Sequence, residues 1–440
     1  MAHPALRSHE NERRPQKLVF LYASSVLGAG ILFVPGLTVQ SAGWLAIPLW
    51  VVLALACVAI ATLFADISTR FPTSSGIHQV VERGLGRPLA RYVDVVLLVV
   101  YVVGNPAMGI ASAQYLAAVT WYEPIATRAG EALVAMGFMT LSLCMSVLPN
   151  RVVGTVQSWT MRIAIFAILL ASALAVPHMD LSHVTQHEAG SFTGVVTAAG
   201  IAFYAYLGWE NVSLLADRVE DPKRAFRYAI ARAVPIVAVV YLVAVVAYAA
   251  LPAGSPPLLL PALTEQLPAA VRIPLLAASL AAIVAATNAW VLGGAALFER
   301  AARQLAPASR RLGLLARVTL ALGYAVVLAG AALGLFRIDG LLSGTSALFL
   351  TVYALVAYSF IRLTGRVTWS AVSVLLITAV MLLAHQPLGG LLAALTVIVL
   401  LIERHRHDRS HDHTVQQNHA DRPGPGPGRV RDDVPARLPG

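Results

Sequence analysis

Two short stretches of this sequence carry residue types suited to holding a small zwitterion. The first is Gly28-Ala29-Gly30, inside an apolar run that begins at Leu18, with Pro35-Gly36 one turn later. Gly costs about 1 kcal/mol relative to Ala in a helix interior and Pro about 3. A span that only anchors a chain has no use for them. A helix unwound at this point exposes the N–H groups that start its outer half. They carry the positive end of the helix dipole and suit a carboxylate. The competing reading is that small residues simply let two helices pack closely. The second stretch is Phe203-Tyr204-Ala205-Tyr206-Leu207-Gly208-Trp209-Glu210. A break at Gly208 exposes carbonyl oxygens from about Phe203 to Leu207, acceptors for an ammonium. Phe203, Tyr204 and Tyr206 could cover the ligand or serve as plain packing. A ligand with both charges on one carbon fits between the two breaks.

Other polar residues have two readings each. A carboxylate at bilayer depth marks a functional site by default. Glu210 either carries a proton or accepts hydrogen bonds from the unwound backbone of the first span, and with Tyr206 it is assigned to coupling and gating. Asn105 either contacts the ligand or satisfies a backbone group at a kink made by Pro106. Arg162 is expected to snorkel to the surface. His405, His407, His411 and His413 have spacings that match no tetrahedral metal site, and no Cys accompanies them. The sequence contains no P-loop, nucleophile–base pair or metal-ligand cluster. The expectation is therefore a non-enzyme with no cofactor and no metal.

These residues need a membrane scaffold to position them. Of the 440 residues, 58% are hydrophobic and 12% charged, and the mean hydropathy is +0.72. Soluble domains carry about 25% charge. An all-α polytopic membrane protein follows, with spans expected at 18–39, 44–65, 92–119, 131–148, 152–176, 192–216, 230–251, 272–298, 314–336, 341–362, 366–384 and 387–403. Residues 1–17 form a polar segment, 18–403 the transmembrane domain, and 404–440 a disordered His/Pro/Gly-rich tail. The net charge of +10 is not a nucleic-acid signal, because the basic residues sit in the short loops between spans. With both termini in the cytoplasm, Arg70, Arg83, Arg87, Arg91, Arg224, Arg300 and Arg362 share the inner side, against Arg128, Arg272 and Arg337 outside. Cys57 and Cys144 are expected to be packed thiols. No cleavable signal peptide is expected. The interrupted spans are the first and sixth. Five spans between equivalent positions require a second copy in inverted orientation, so a 5+5 inverted repeat with two further helices is expected.

Four motifs in order resemble the amino acid–polyamine–organocation transporters: Gly28-Ala29-Gly30-Ile31 with Pro35, Arg70-Phe71-Pro72-Thr73-Ser74-Ser75-Gly76, Tyr204 to Glu210, and Glu220-Asp221-Pro222-Lys223-Arg224-Ala225. The resemblance spans residues 15 to 403. It implies that Gly28, Ala29 and Gly30 bind the substrate carboxylate and that Tyr204 stands at an aromatic gate. It places Asn105, Met108 and Trp290 at the pocket, as in arginine/agmatine antiporters. Ala29 replaces a serine of those antiporters. The context Val103-Gly104-Asn105-Pro106-Ala107 looks more like bacterial methionine and branched-chain amino acid exporters. Ala164 stands where some proton-coupled relatives carry a lysine.

The expectation is a secondary active amino acid transporter of the bacterial cytoplasmic membrane that works by alternating access on a neutral apolar amino acid. The substrate-binding residues are Gly28, Ala29, Gly30, Asn105, Met108, Phe203, Tyr204, Leu207, Gly208 and Trp290. Its partners are the amino acid, a proton or counter-substrate, the lipid bilayer and a second copy in a homodimer, and no nucleic acid. The alternatives are an amino acid/amine antiporter of the arginine/agmatine type, an intramembrane enzyme using Glu210 with a histidine, and an amino acid receptor. His178 and His385 lie at outer span ends, far from Glu210, which disfavours the enzyme.

Overall fold

Long apolar runs interrupted by few breakers can satisfy their backbone in lipid only as helices or closed barrels, and here they form helices. The computed structural model describes residues 18–20, 22–28, 30–71, 76–120, 127–210, 221–305 and 312–384. Among these the chain runs α1 (Leu18–Leu27), a 3₁₀ turn (Gly30–Leu32), α2 (Val34–Ala42), a 3₁₀ turn (Gly43–Leu45), α3 (Ala46–Arg70), α4 (Gly76–Leu85) and α5 (Arg87–Thr120). There follow α6 (Arg128–Met145), α7 (Asn150–Ala175), α8 (Ser182–Gln186), α9 (Phe192–Ala205) and α10 (Pro222–Ala249). The last are α11 (Leu259–Leu263), α12 (Ala269–Leu305), α13 (Leu312–Ala332), α14 (Ile338–Thr364) and α15 (Trp369–Ala384). The described residues contain no strand.

Among the described residues eight helical segments are long and apolar enough to cross a membrane, and α1, α9 and α15 are shorter apolar helices. The chain is a polytopic membrane protein. The count differs from the twelve expected spans for identifiable reasons. The first span is split into α1 and α2, and α2 runs on into α3 through a 3₁₀ turn. The sixth span shows only its outer half, α9. The expected span 387–403, the N-terminal segment, the histidine tail, Ala29 and the motif residues 72–75 and 220 lie outside the described residues.

Helices five spans apart pack on one another: α2 with α9, α3 with α10, α5 with α12, and α6 with α13. The pair α5·α14 has its five-span counterpart in α12·α7. This pairing follows a five-span period, as a repeat of five helices would give. Helix α4 buries Val80, Val81 and Leu85 against α5 and α14. It is tied to the start of α5 by His78 to Asp94 at 2.8 Å. It marks the end of the bundle where most of the described Arg residues collect; Arg128, Arg272 and Arg337 lie at the opposite end.

α5 runs through Pro106 as one helix. The exposed Arg162 guanidinium lies over the Phe20 and Trp159 rings, at 5.0 and 5.2 Å from their centroids, joining α7 to α1 by cation–π contact. One local expectation changes. Cys57 is buried, but Cys144 is exposed on α6.

Pro35 and Gly36 also acquire a role distinct from the break. Pro35 sits in the first turn of α2, where its missing N–H costs no hydrogen bond. A Cβ on Gly36 would overlap the Pro257 carbonyl and lie 2.8 Å from the Tyr248 ring. Gly36→Val is therefore expected to destabilise the protein by about 1–3 kcal/mol, the usual range for overpacking. Thermal unfolding in detergent checks this, with Gly137→Val as control because a Cβ on Gly137 meets nothing within 4 Å.

Candidate functional site

The first break starts where α1 ends. The Gly28 N–H still donates to Ser24 O at 3.2 Å, but Gly28 itself adopts φ +40°. Beyond Ala29 the chain tightens into the turn Gly30–Leu32, in which the Phe33 N–H donates to Gly30 O at 3.2 Å. The α-helix resumes at Val34. The second break follows α9. The Tyr206 N–H reaches back to Phe203 O at 2.9 Å and the Leu207 N–H to Tyr204 O at 3.3 Å. Gly208 then takes φ +119°.

The two breaks touch. Ser25 Oγ donates to Gly208 O at 2.9 Å, and a Cβ on Gly208 would stand 2.6 Å from Ser25 O. A Cβ on Gly30 would stand 3.3 Å from Ala205 Cα. The fully buried Tyr241 hydroxyl of α10 joins both breaks. It lies 2.8 Å from Ala205 O and 3.2 Å from the carbonyl oxygens of both Val26 and Leu27. Tyr115 of α5 donates to Leu32 O at 2.6 Å. Glu210 holds the second break: its Oε2 accepts from the Gly208 N–H at 3.1 Å and from the Tyr353 hydroxyl.

Beside the joined breaks lies a cavity of about 360 Å³, within the size range of small-molecule sites. Gly28, Gly30, Met108, Tyr204, Leu207, Trp290 and Glu210 line it. Trp290 is the centre of its aromatic wall, with ring centroids 5.5 Å from Tyr204, 5.8 Å from Tyr101 and 5.9 Å from Phe349. Gly104 seats this ring, since a Cβ there would stand 3.1 Å from Trp290. Met108 is steadied by the Thr287 hydroxyl, 3.4 Å from its sulfur.

Three residues expected at the ligand, Asn105, Phe203 and Gly208, and the expected gating residue Tyr206 are not among those lining the cavity. Asn105 is fully buried and donates to the Tyr324 hydroxyl at 2.7 Å, so it ties α5 to α13. Phe203 is buried. Tyr206 packs against Trp50 and Tyr241, at 5.5 and 5.2 Å. Gly208 is occupied by its contacts to Ser25 and Glu210. The carbonyl set also narrows. Those of Phe203, Tyr204 and Ala205 already accept from protein donors.

The sequence reading missed a whole wall. Gln157, Ser158 and Met161 of α7 and Phe349 of α14 line the cavity too. The adjacent polar pair Gln157-Ser158, inside an apolar run, was the signal available. Through Ser24 of α1 and this pair, the cavity extends toward the end of the bundle that carries α4. Among the described residues no group of three or more His, Cys, Asp or Glu is placed to hold a metal ion.

Tyr241→Phe removes the donor that satisfies the facing carbonyls, and a buried unsatisfied group costs about 1–3 kcal/mol. The protein is expected to lose that much stability, and the destabilised breaks are expected to bind ligand at least several-fold more weakly. Thermal unfolding and ligand titration of the purified variant test both.

A protein-family model described as amino acid permease matches residues 15–313. Among curated proteins, the chain is 21% identical over 222 residues to the uncharacterized amino acid permease YecA of Bacillus subtilis (strain 168), covering 50% of this chain and 51% of that protein. It is 23% identical over 227 residues to cationic amino acid transporter 9, chloroplastic, of Arabidopsis thaliana, covering 47% of this chain and 39% of that protein. It is 24% identical over 224 residues to the L-methionine/branched-chain amino acid exporter YjeH of Escherichia coli (strain K12), covering 50% of this chain and 52% of that protein. The chain thus spans about half the length, or less, of these curated relatives.

Proposed function

The chain belongs to the amino acid permease family, and on that premise we propose that it is a secondary active transporter that moves a neutral, apolar amino acid across the bacterial cytoplasmic membrane by alternating access. The observation that carries this reading is the contact of two helix breaks beside one cavity, with Gly28 and Gly30 from the first and Leu207 from the second on its wall. The Gly28 N–H is held by Ser24 O, so the backbone N–H groups of Ala29 and Gly30, freed by the turn at Gly28, receive the substrate carboxylate at the positive end of the outer half-helix. Ala29 has no hydroxyl, so backbone groups alone serve. The carbonyls of Phe203 to Ala205 have protein donors, and of the remaining two residues, Tyr206 and Leu207, Leu207 lines the cavity and offers its carbonyl to the ammonium. The substrate side chain lies among Met108, Met161, Tyr204, Trp290 and Phe349.

The printed names of the relatives include both cationic and methionine/branched-chain amino acids, so the cavity itself must decide. Among the described residues Glu210 is the one acidic residue on its wall. Its Oε2 is engaged by Tyr353 and Gly208. A cationic side chain would have to compete for that carboxylate, whereas an apolar one meets flexible methionines and aromatic faces. Access from the cytoplasm fits the extension of the cavity past Ser24 and Gln157, with both termini on that side as the basic loops indicate.

Uptake of labelled amino acids into proteoliposomes, with and without sodium and proton gradients and with preloaded amino acids, tests the reading. Valine, leucine, isoleucine or methionine is expected to be transported and arginine or lysine not; absence of transport for every amino acid overturns it. Gly28→Leu is expected to abolish binding and leave the fold intact. A Cβ on Gly28 meets Ser25 O and Val26 O only at 3.8 Å, and holding a leucine at its positive φ costs about 1–2 kcal/mol. Normal binding by that variant rules out the backbone site.

A further inference from the structure

The segment that joins α7 to α9 is a strap across the end of the bundle opposite α4, and it carries histidines at residues 178, 183 and 187. It grips two different elements. Toward α10, the Asp180 N–H donates to Ala250 O at 3.0 Å. His183 Nδ1 lies 3.1 Å from the same Ala250 O, and His187 Nε2 lies 3.2 Å from Leu251 O. Ala250 is the C-cap of α10, so both imidazoles donate to the negative end of that helix. Toward α2, the Trp44 N–H donates to His187 O at 3.3 Å and the Gly190 N–H to Ala42 O at 3.0 Å. The approach is close enough to demand glycine. A Cβ on Gly190 would stand 2.5 Å from Ser41 O, and one on Gly43 would overlap Glu188 O. The strap then passes directly into α9, whose first turn is capped by Ser191.

The outer halves of both broken helices, α2 and α9, are therefore fastened to the carboxyl end of α10 through one short segment. Two of its fastenings are imidazoles, the side chains whose charge changes near neutral pH. A carbonyl only accepts, so His183 Nδ1 and His187 Nε2 each carry a proton at every pH where the bond exists. Protonating the second nitrogen leaves each bond in place and adds positive charge beside a helix C-terminus, which strengthens it. The surrounding charges act in the same direction. The strap contributes Asp180 and Glu188, and Glu265 lies with His178 on a cavity walled by residues 251–255. The Asp180 carboxylate is held below the usual range, chiefly by the hydrogen bond from the Ser182 N–H. Residues 34–45 and the first turn of α9 contribute no titratable side chain, and 250–258 contribute none; the Tyr248 hydroxyl at the end of α10 donates to Ser255 O and Pro256 O. Neither residues 179–191 nor 250–268 contain Lys or Arg.

We infer that the strap is a proton-tightened clip: protonation of His183 and His187 draws it onto α10 and so holds α2, the outer half of the first broken helix, against α9 and α10. Acid on this face favours the state closed to it, and alkali loosens the clip. That consequence rests on the alternating-access reading; the clip itself does not.

Hydrogen–deuterium exchange of the full-length protein in detergent tests the clip without any transported substrate. Peptides containing Trp44 and Gly190 are followed at pH 8.0 and 5.5, with rates divided by intrinsic exchange. Their protection is expected to rise about three- to tenfold at the lower pH, from two imidazolium–helix interactions of ordinary strength. In His183→Asn/His187→Gln, whose amides keep the donors but not the titration, protection at pH 8.0 is expected to remain and the rise to vanish. Each single variant is expected to retain part of the rise, which keeps the test intact should the double variant not fold. A wild-type protein with no rise, or a double variant that keeps the full rise, overturns the inference. Loss of transport with the exchange step preserved would count against the transporter reading alone.

Discussion

A backbone that leaves helical geometry inside a bilayer must find hydrogen-bond partners within the protein, and the rest of this structure depends on how that is met. Tyr241 places one hydroxyl among three carbonyls from two separate breaks. Tyr115 serves Leu32, Ser25 serves Gly208 O, and Glu210 serves the Gly208 N–H while held by Tyr353. These partners come from α5, α10 and α14 as well as from the broken helices themselves. The two breaks are thus one joint, not two independent irregularities.

This joint explains the placement of residues with no polar role. Gly30 and Gly208 are small because the two chains pass within contact distance of each other. Gly104 is small because the Trp290 ring rests on it, and Gly293 because the Tyr101 ring does. The aromatic wall is therefore seated by missing side chains on α5 and α12. Its rings meet edge-on or tilted, as their quadrupoles favour. The result is a wall that is apolar yet firmly placed, beside a floor made of backbone.

Much of this could be read from the chain alone, because it depends on residue type and local spacing. Gly28-Ala29-Gly30 and Gly208 announce breaks by their helix propensity. Apolar runs announce spans, and Arg in short loops announces sidedness. Met108, Tyr204 and Trp290 line the cavity. Asn105 is buried against Tyr324, and Tyr206 packs on Trp50 and Tyr241. Gln157, Ser158, Met161 and Phe349 went unassigned, since the face that a residue on a long apolar helix presents to a cavity depends on its neighbours.

Sequence by itself determined that the chain is a bundle of membrane helices with two defects at equivalent positions, because lipid constrains each segment separately and glycine and proline act locally. Tertiary structure alone decided which groups complete the defects. Tyr241 lies more than two hundred residues from Val26, and no local pattern marks its hydroxyl as the partner of that carbonyl. It decided that Glu210 secures the second break through the Gly208 N–H, and that histidines beyond the spans reach the carbonyls at the end of α10. Such pairings are settled by the packing of distant helices, and hydrogen bonds between them leave no periodic trace in the chain.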